Sequence, residues 1–151
     1  MRRYVAGVAT GMVLMAFLPV TRAEHAGYPA PAYASAAQVS AALRQIGANN
    51  DDRAVLQLDP YVVRAEHRAG TEPPGTPASI HEGMAELYVV TAGSATLVTG
   101  SEPSDAHAGA SLHISQGDIV IIPENTPHWF SAIDGSISYL SMHMPRASSA
   151  K

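Results

Sequence analysis

His81-Glu82-Gly83-Met84-Ala85-Glu86-Leu87-Tyr88-Val89-Val90-Thr91-Ala92-Gly93 is the stretch on which the fold and the chemistry of this chain turn. A histidine closes one strand candidate and, after a connection of four residues, a glutamate opens the next. Side chains alternate across a strand, so Glu86, Tyr88 and Val90 share one face, and Ser79 shares one with His81. A second segment, from Gly117 through Pro123 to His128-Trp129-Phe130, sets another histidine at the start of a strand. Imidazole and carboxylate are donors that divalent transition metals take from proteins, and His128 offers a third.

Working outward, strand candidates fall at 54–58, 61–67, 78–81, 86–91, 94–99, 111–115, 119–122, 128–132 and 137–144. Ala92-Gly93 reads as a hairpin turn and Asp134-Gly135 as the turn between the last two strands, while 70–77 and 100–109 read as loops. Ahead of the strands, Ser35 and Gln38 make a capping box, Val39, Leu43 and Ile46 share one helical face, and Gly47 supplies the stop. That pattern predicts one short amphipathic helix over 36–46. Twelve glycines and eleven prolines against two phenylalanines weigh against a helical bundle. A chain of 151 residues suits one domain, and a set of short strands without internal repeat predicts an all-β sandwich or barrel.

Arg2 and Arg3 precede an apolar run over 5–18 that ends in Pro19 and Thr21-Arg22-Ala23, the pattern of a cleavable secretory signal. The run is too short to span a bilayer, which takes about 20 residues. Cleavage after Ala23 removes three of the nine basic residues and none of the thirteen acidic ones, leaving 6 − 13 = −7. An acidic domain without a basic stripe is not built for nucleic acid or an anionic membrane surface. With no cysteine it forms no disulfide and carries no lipidated N-terminus, so stability comes from a packed core, oligomer contacts or a bound metal. Residues 24–34, with Pro29 and Pro31, read as an extended arm. That arm and an apolar outer sheet face point to a homodimer.

The two segments resemble the motifs of the cupin superfamily. His81, Glu86 and Gly93 match the second histidine, the glutamate and the glycine of its first motif; Gly117, Pro123 and His128 match its second. The phrasing around them is similar to small exported bacterial cupins of a single domain. The resemblance implies a jelly-roll barrel with a metal in its wider mouth. Together with the signal, arm and helix read above, it gives a layout of signal peptide 1–23, arm and short helix 24–50, cupin domain 51–146 and tail 147–151. Three positions depart from the pattern: the first histidine is Ser79, the glycine of the second motif is Asn125, and an asparagine often found after the last histidine is Ala132.

What remains is His81, Glu86 and His128, two imidazoles and a carboxylate with open positions, a set that suits one divalent ion of Fe, Mn, Ni, Co or Zn. Ser79, Val90 and Phe130 are the candidate substrate pocket, and Tyr88 and His143 the candidate catalytic groups. His143 shares a strand face with Tyr139 and Ser141, where the ordinary role is a hydrogen-bonded wall residue and the functional one a pocket base or fourth ligand. His67 and His107 read as wall and surface, and alternation turns Trp129 away from His128. The resemblance thus implies an exported, periplasmic or secreted metal-binding cupin acting on a small molecule, as an oxygenase, isomerase or lyase. A non-catalytic periplasmic module holding a small ligand in the same mouth is the alternative, and fold alone does not choose. N-terminal sequencing of exported protein is expected to read Glu24-His25-Ala26; material that keeps Met1 in a membrane fraction overturns the signal.

Overall fold

In the computed structural model, the residues described are 30–46, 50–70, 76–105 and 108–146. They form α1 (Ala36–Gln45), β1 (Asp51–Leu58), β2 (Tyr61–Ala69), β3 (Met84–Thr99), a 3-10 turn over Pro103–Asp105, β4 (Ala110–Ser115), β5 (Ile119–Ile122) and β6 (His128–Pro145). All lie within the unit Ala32–Lys151. The signal 1–23, most of the arm, Gly47, His107 and the tail 147–151 fall outside the described residues.

Two of the expected turns are bends within strands. β3 runs through Ala92-Gly93 and β6 through Asp134-Gly135, and the two pair antiparallel from Met84 opposite Pro145 to Thr99 opposite His128. Their register shifts between Val90 and Ala92, between Gly93 and Ala95, and between Thr96 and Leu97. Each inserted residue changes which side of the strand faces inward. In β3 the alternating buried positions are Glu86, Tyr88 and Val90 before the bend and Ala95 and Leu97 after it, with Val98 buried from the other face; in β6 they are His128 and Phe130, then Ile137, Tyr139 and Ser141. A glycine between two alternating runs marks a bulge as readily as a hairpin, and pairing with the other long strand decides for the bulge. The strand expected over 78–81 reduces to one bridge between Ser79 and His128.

Gly93 sits at the bend with φ 75°, and a Cβ there would lie 1.9 Å from the carbonyl oxygen of Ser136. Only glycine allows that approach. Beside it, the Ser94 hydroxyl donates to Asp134 Oδ2 at 2.7 Å.

The strands form an antiparallel path β1-β2-β6-β3-β4 with β5 also on β3, the all-β jelly roll that the motifs imply. The first half of β3 pairs β5 and the second half β4, so each long strand serves both walls. Between the walls, Leu97, Ile114, Ile122 and Ile137 are almost fully buried in one core with Tyr88, Phe130 and Tyr139.

Capped by Ser35 and Gln38 as expected, α1 buries Ala42 and Ile46 against Ala65, with Leu43, Val55 and Leu140 around them. The apolar face of β2 is thus the outer one. Its other face, Val62, Arg64, Glu66 and Arg68, lines the interior cavity. Among the described residues no helix is long and apolar enough to cross a membrane.

Gly93→Ala is expected to lower stability by about 3 kcal/mol or more, since a methyl would have to displace backbone in a left-handed conformation. Gly70→Ala, also at positive φ but with nothing within 4 Å of its added Cβ, is expected to cost about 1 kcal/mol. Equal losses in denaturant unfolding would show that the Ser136 contact does not hold the bend.

Candidate metal centre

Three chain segments deliver the donors. His81 ends the segment bridged to β6, Glu86 is the first inward residue of β3 proper, and His128 opens β6. Backbone hydrogen bonds fix their relative positions: Ser79 N to His128 O at 2.9 Å, His128 N to Ser79 O at 3.0 Å, and Asn125 N to His81 O at 3.1 Å. Asn125 adopts φ 58°, the left-handed conformation for which a glycine is the usual choice and asparagine the best substitute. Its side-chain Oδ1 accepts from Gly83 N at 2.9 Å, so this departure from the motif ties the two motif loops together.

The donors converge on one oxygen. His81 Nε2 lies 3.1 Å and His128 Nε2 3.0 Å from Glu86 Oε2, and one ligand atom from each of these residues falls within 4.8 Å of the others. On its far side, His128 Nδ1 is 3.0 Å from the Thr126 carbonyl, which only accepts, so the proton sits on Nδ1. The Nε2 of a neutral His128 then presents a lone pair to a carboxylate oxygen. Both atoms are buried, and neither has a hydrogen-bond partner in good alignment. Two acceptors held at that distance call for a proton or a cation between them. Metal–ligand bonds of about 2.1 Å place neighbouring donors roughly 3 Å apart, so the residues present fit a divalent ion.

Charge and burial pull the three groups in different directions. Burial alone would raise the Glu86 carboxyl, but His128 first, then His81 and His143, hold it below the ordinary carboxylate range. Burial also disfavours the charged form of His128, yet Glu86 and the Thr126 carbonyl outweigh it and raise the imidazole. For His81 burial wins, helped by repulsion from the other two histidines, and its value is lowered despite Glu86.

The cavity above these groups has a volume of about 480 Å³. Ser79, Tyr88, Phe130 and His143 line it with the three donors; Val90, at 2% exposure, lies in the packed core instead of the pocket expected for it. Tyr88 is 5% exposed, and its hydroxyl is pushed well above the ordinary phenol range by burial, then by Tyr139 and Glu86, so it keeps its proton. Trp129, expected to face away, contributes to the cavity wall and buries an unpartnered indole N–H. His143 reaches Glu86 Oε1 at 3.2 Å, and His67 is a wall residue bonded to Ser138 at 2.9 Å.

A buried polar cluster opposite the donors has no counterpart in the sequence reading. Glu66 is 7% exposed and accepts from the Tyr139 hydroxyl at 3.1 Å, from Arg68 at 2.8 Å and from the Ser141 hydroxyl. The signal for it was indirect: an amphipathic helix needs an apolar partner, and on β2 only the Val63 and Ala65 face supplies one, which turns the charged face inward.

A family model described as the Cupin domain matches residues 69–142. No curated protein matches the chain. Among solved structures, a candidate mannose-6-phosphate isomerase from Ralstonia eutropha aligns with a TM-score of 0.51 at 17% identity, over 64% of this chain and 85% of that one. A protein of Thermus thermophilus aligns at 0.51 and 16% identity over 70% and 95% of the two chains. A cupin superfamily protein from Desulfitobacterium hafniense gives 0.49 and 16% over 64% and 78%. At these identities the likeness is one of fold.

In metal-free protein the opposed shifts set an order of titration. On raising the pH, His81 is expected to lose its proton first and His128 to keep one to higher pH. Imidazole resonances followed by NMR from acid to mildly alkaline pH check this, and the reverse order would refute the assignment of charge within the cluster.

Proposed function

We propose that this protein, whose residues 69–142 match the Cupin domain, binds one divalent metal ion through His81, Glu86 and His128 and acts on a small molecule held in the cavity, as an oxygenase, isomerase or lyase. The observation that carries the proposal is the approach of two imidazole Nε2 atoms to one buried carboxylate oxygen, with the Nδ1 proton of His128 committed to Thr126. When bound, the ion supplies Lewis acidity or a water made acidic by coordination. Glu86 brings the compensating negative charge, and its lowered carboxyl keeps that charge at neutral pH. Tyr88 holds a proton firmly and is placed to donate a hydrogen bond to a ligand oxygen beside Glu86. Ser79, at the cavity lining where the family pattern has another imidazole, leaves the mouth side of the centre open to a ligand. Phe130 and Leu97 give an apolar floor, which strengthens polar contacts made above it.

The same proposal includes export, supported by the pattern in 1–23, and a homodimer. Support for the latter comes from Ile119 and Ile121, 67% and 62% exposed on β5. The two share one face of the strand, and adjoining exposed apolar side chains are what contact surfaces are built from.

Elemental analysis of protein purified without added metal is expected to find about one divalent ion per chain, in line with a three-donor site. Replacing His81, Glu86 or His128 by alanine should weaken binding by more than about tenfold, because two protein donors compete poorly with water and buffer. His113→Ala, on the exposed side of β4, should change nothing. Ser79→His should tighten binding by adding an imidazole at the same mouth. Full occupancy in His128→Ala would place the ligands elsewhere.

A further inference from the structure

Glu86 has two carboxylate oxygens, and the structure divides them between different partners. Oε2 faces His81 and His128 at 3.1 and 3.0 Å, while Oε1 meets His143 Nε2 at 3.2 Å in hydrogen-bonding geometry. The His143 contact is built into the sheet, because Glu86 and His143 are direct register partners across β3 and β6. Opposed residues of an antiparallel pair hold their Cβ atoms about 5 Å apart whatever the loops do. The ring also packs on that of His81, with centroids 4.0 Å apart and planes tilted by 41°. Yet the donor group whose atoms gather within 4.8 Å comprises His81, Glu86 and His128, and His143 stands outside it.

Resting on the metal-binding reading above, we propose that His143 is a positioning residue that donates Nε2–H to Glu86 Oε1 and thereby keeps Glu86 a ligand through Oε2 alone. A carboxylate with a free second oxygen can close both onto a cation and take a position that a substrate or water would use. Held at Oε1, Glu86 leaves that position to the small molecule. Partners of this kind, outside the ligands themselves, are typically worth roughly 10- to 100-fold in metal affinity. His143 is suited to the task in a second way: its side chain is 37% exposed at the cavity, whereas Glu86's is 5%, so it shields the carboxylate from the solvent side.

Co(II) is the probe, titrated into the full chain as wild type, His143→Leu and His143→Gln. Leucine removes the donor, and glutamine restores an N–H at similar reach without an imidazole. The expected result is a roughly 10- to 100-fold weaker Kd for His143→Leu. It should come with a changed Co(II) visible spectrum and a narrowed splitting of the carboxylate infrared stretches, as Glu86 closes both oxygens onto the ion. His143→Gln should return all three towards wild type, which separates positioning from a general loss of fold. Wild-type affinity and spectrum in His143→Leu would overturn the proposal, as would X-ray absorption showing three imidazoles on cobalt in the wild type. Wild-type protein that takes up no Co(II) would overturn the metal reading itself, and this inference with it; binding by wild type with an inert His143 removes this inference alone.

Discussion

Backbone rests on backbone where Gly93 meets Ser136, at a separation that leaves no room for a side chain. That contact bends β3 and β6 together, and the inserted residues around it reverse which positions point inward. Without the reversal, a strand that contributes Tyr88 and Val90 to one wall would turn Ala95 and Leu97 outward in the other. The two bent strands therefore fill one interior from both sides, and they place Glu86 and His128 at the same end of it. The other strands are added to the edges of this pair. The candidate metal donors inherit their spacing from it.

The interior so formed is unusual in carrying two buried carboxylates, Glu66 and Glu86, in one cavity. Neither is left bare. Glu66 is surrounded by a guanidinium and two hydroxyls, which satisfy it within the protein. Glu86 is surrounded by imidazoles, which offer a lone pair or a proton according to conditions. A buried ionic group without hydrogen bonds costs several kcal/mol, so fixed donors make Glu66 a structural element, whereas adaptable ones leave Glu86 open to a cation.

How much of this was legible in the sequence follows from what each residue's signal depends on. The donors His81, Glu86 and His128 are readable because their spacing resembles the two cupin motifs, although three separate segments deliver them. The helix was readable from its cap. The bends were not, since Ala92-Gly93 and Asp134-Gly135 carry the same local chemistry as hairpin turns, and only the partner strand, some forty residues away, decides between them. Val90 and Tyr88 share a strand face by alternation, yet Tyr88 lines the cavity and Val90 lies in the core; alternation tells the side of the sheet and not the depth. Arg64, Glu66 and Arg68 look like a solvated face until α1 is seen to occupy the opposite one.

Asn125 carries a consequence for how an ion would arrive. Its backbone N–H holds the carbonyl of His81 and its side chain holds the turn at Gly83, while Ser79 and His128 exchange backbone hydrogen bonds beside it. The loops that bear the donors are thus tied together by the chain's own hydrogen bonds. Capture of an ion would then need little further ordering of these loops, since the bonds that join them form in folding. In kinetic terms, entry would be limited by dehydration of the ion and its passage into the cavity. Residence would be governed by how often this network of backbone and amide contacts opens.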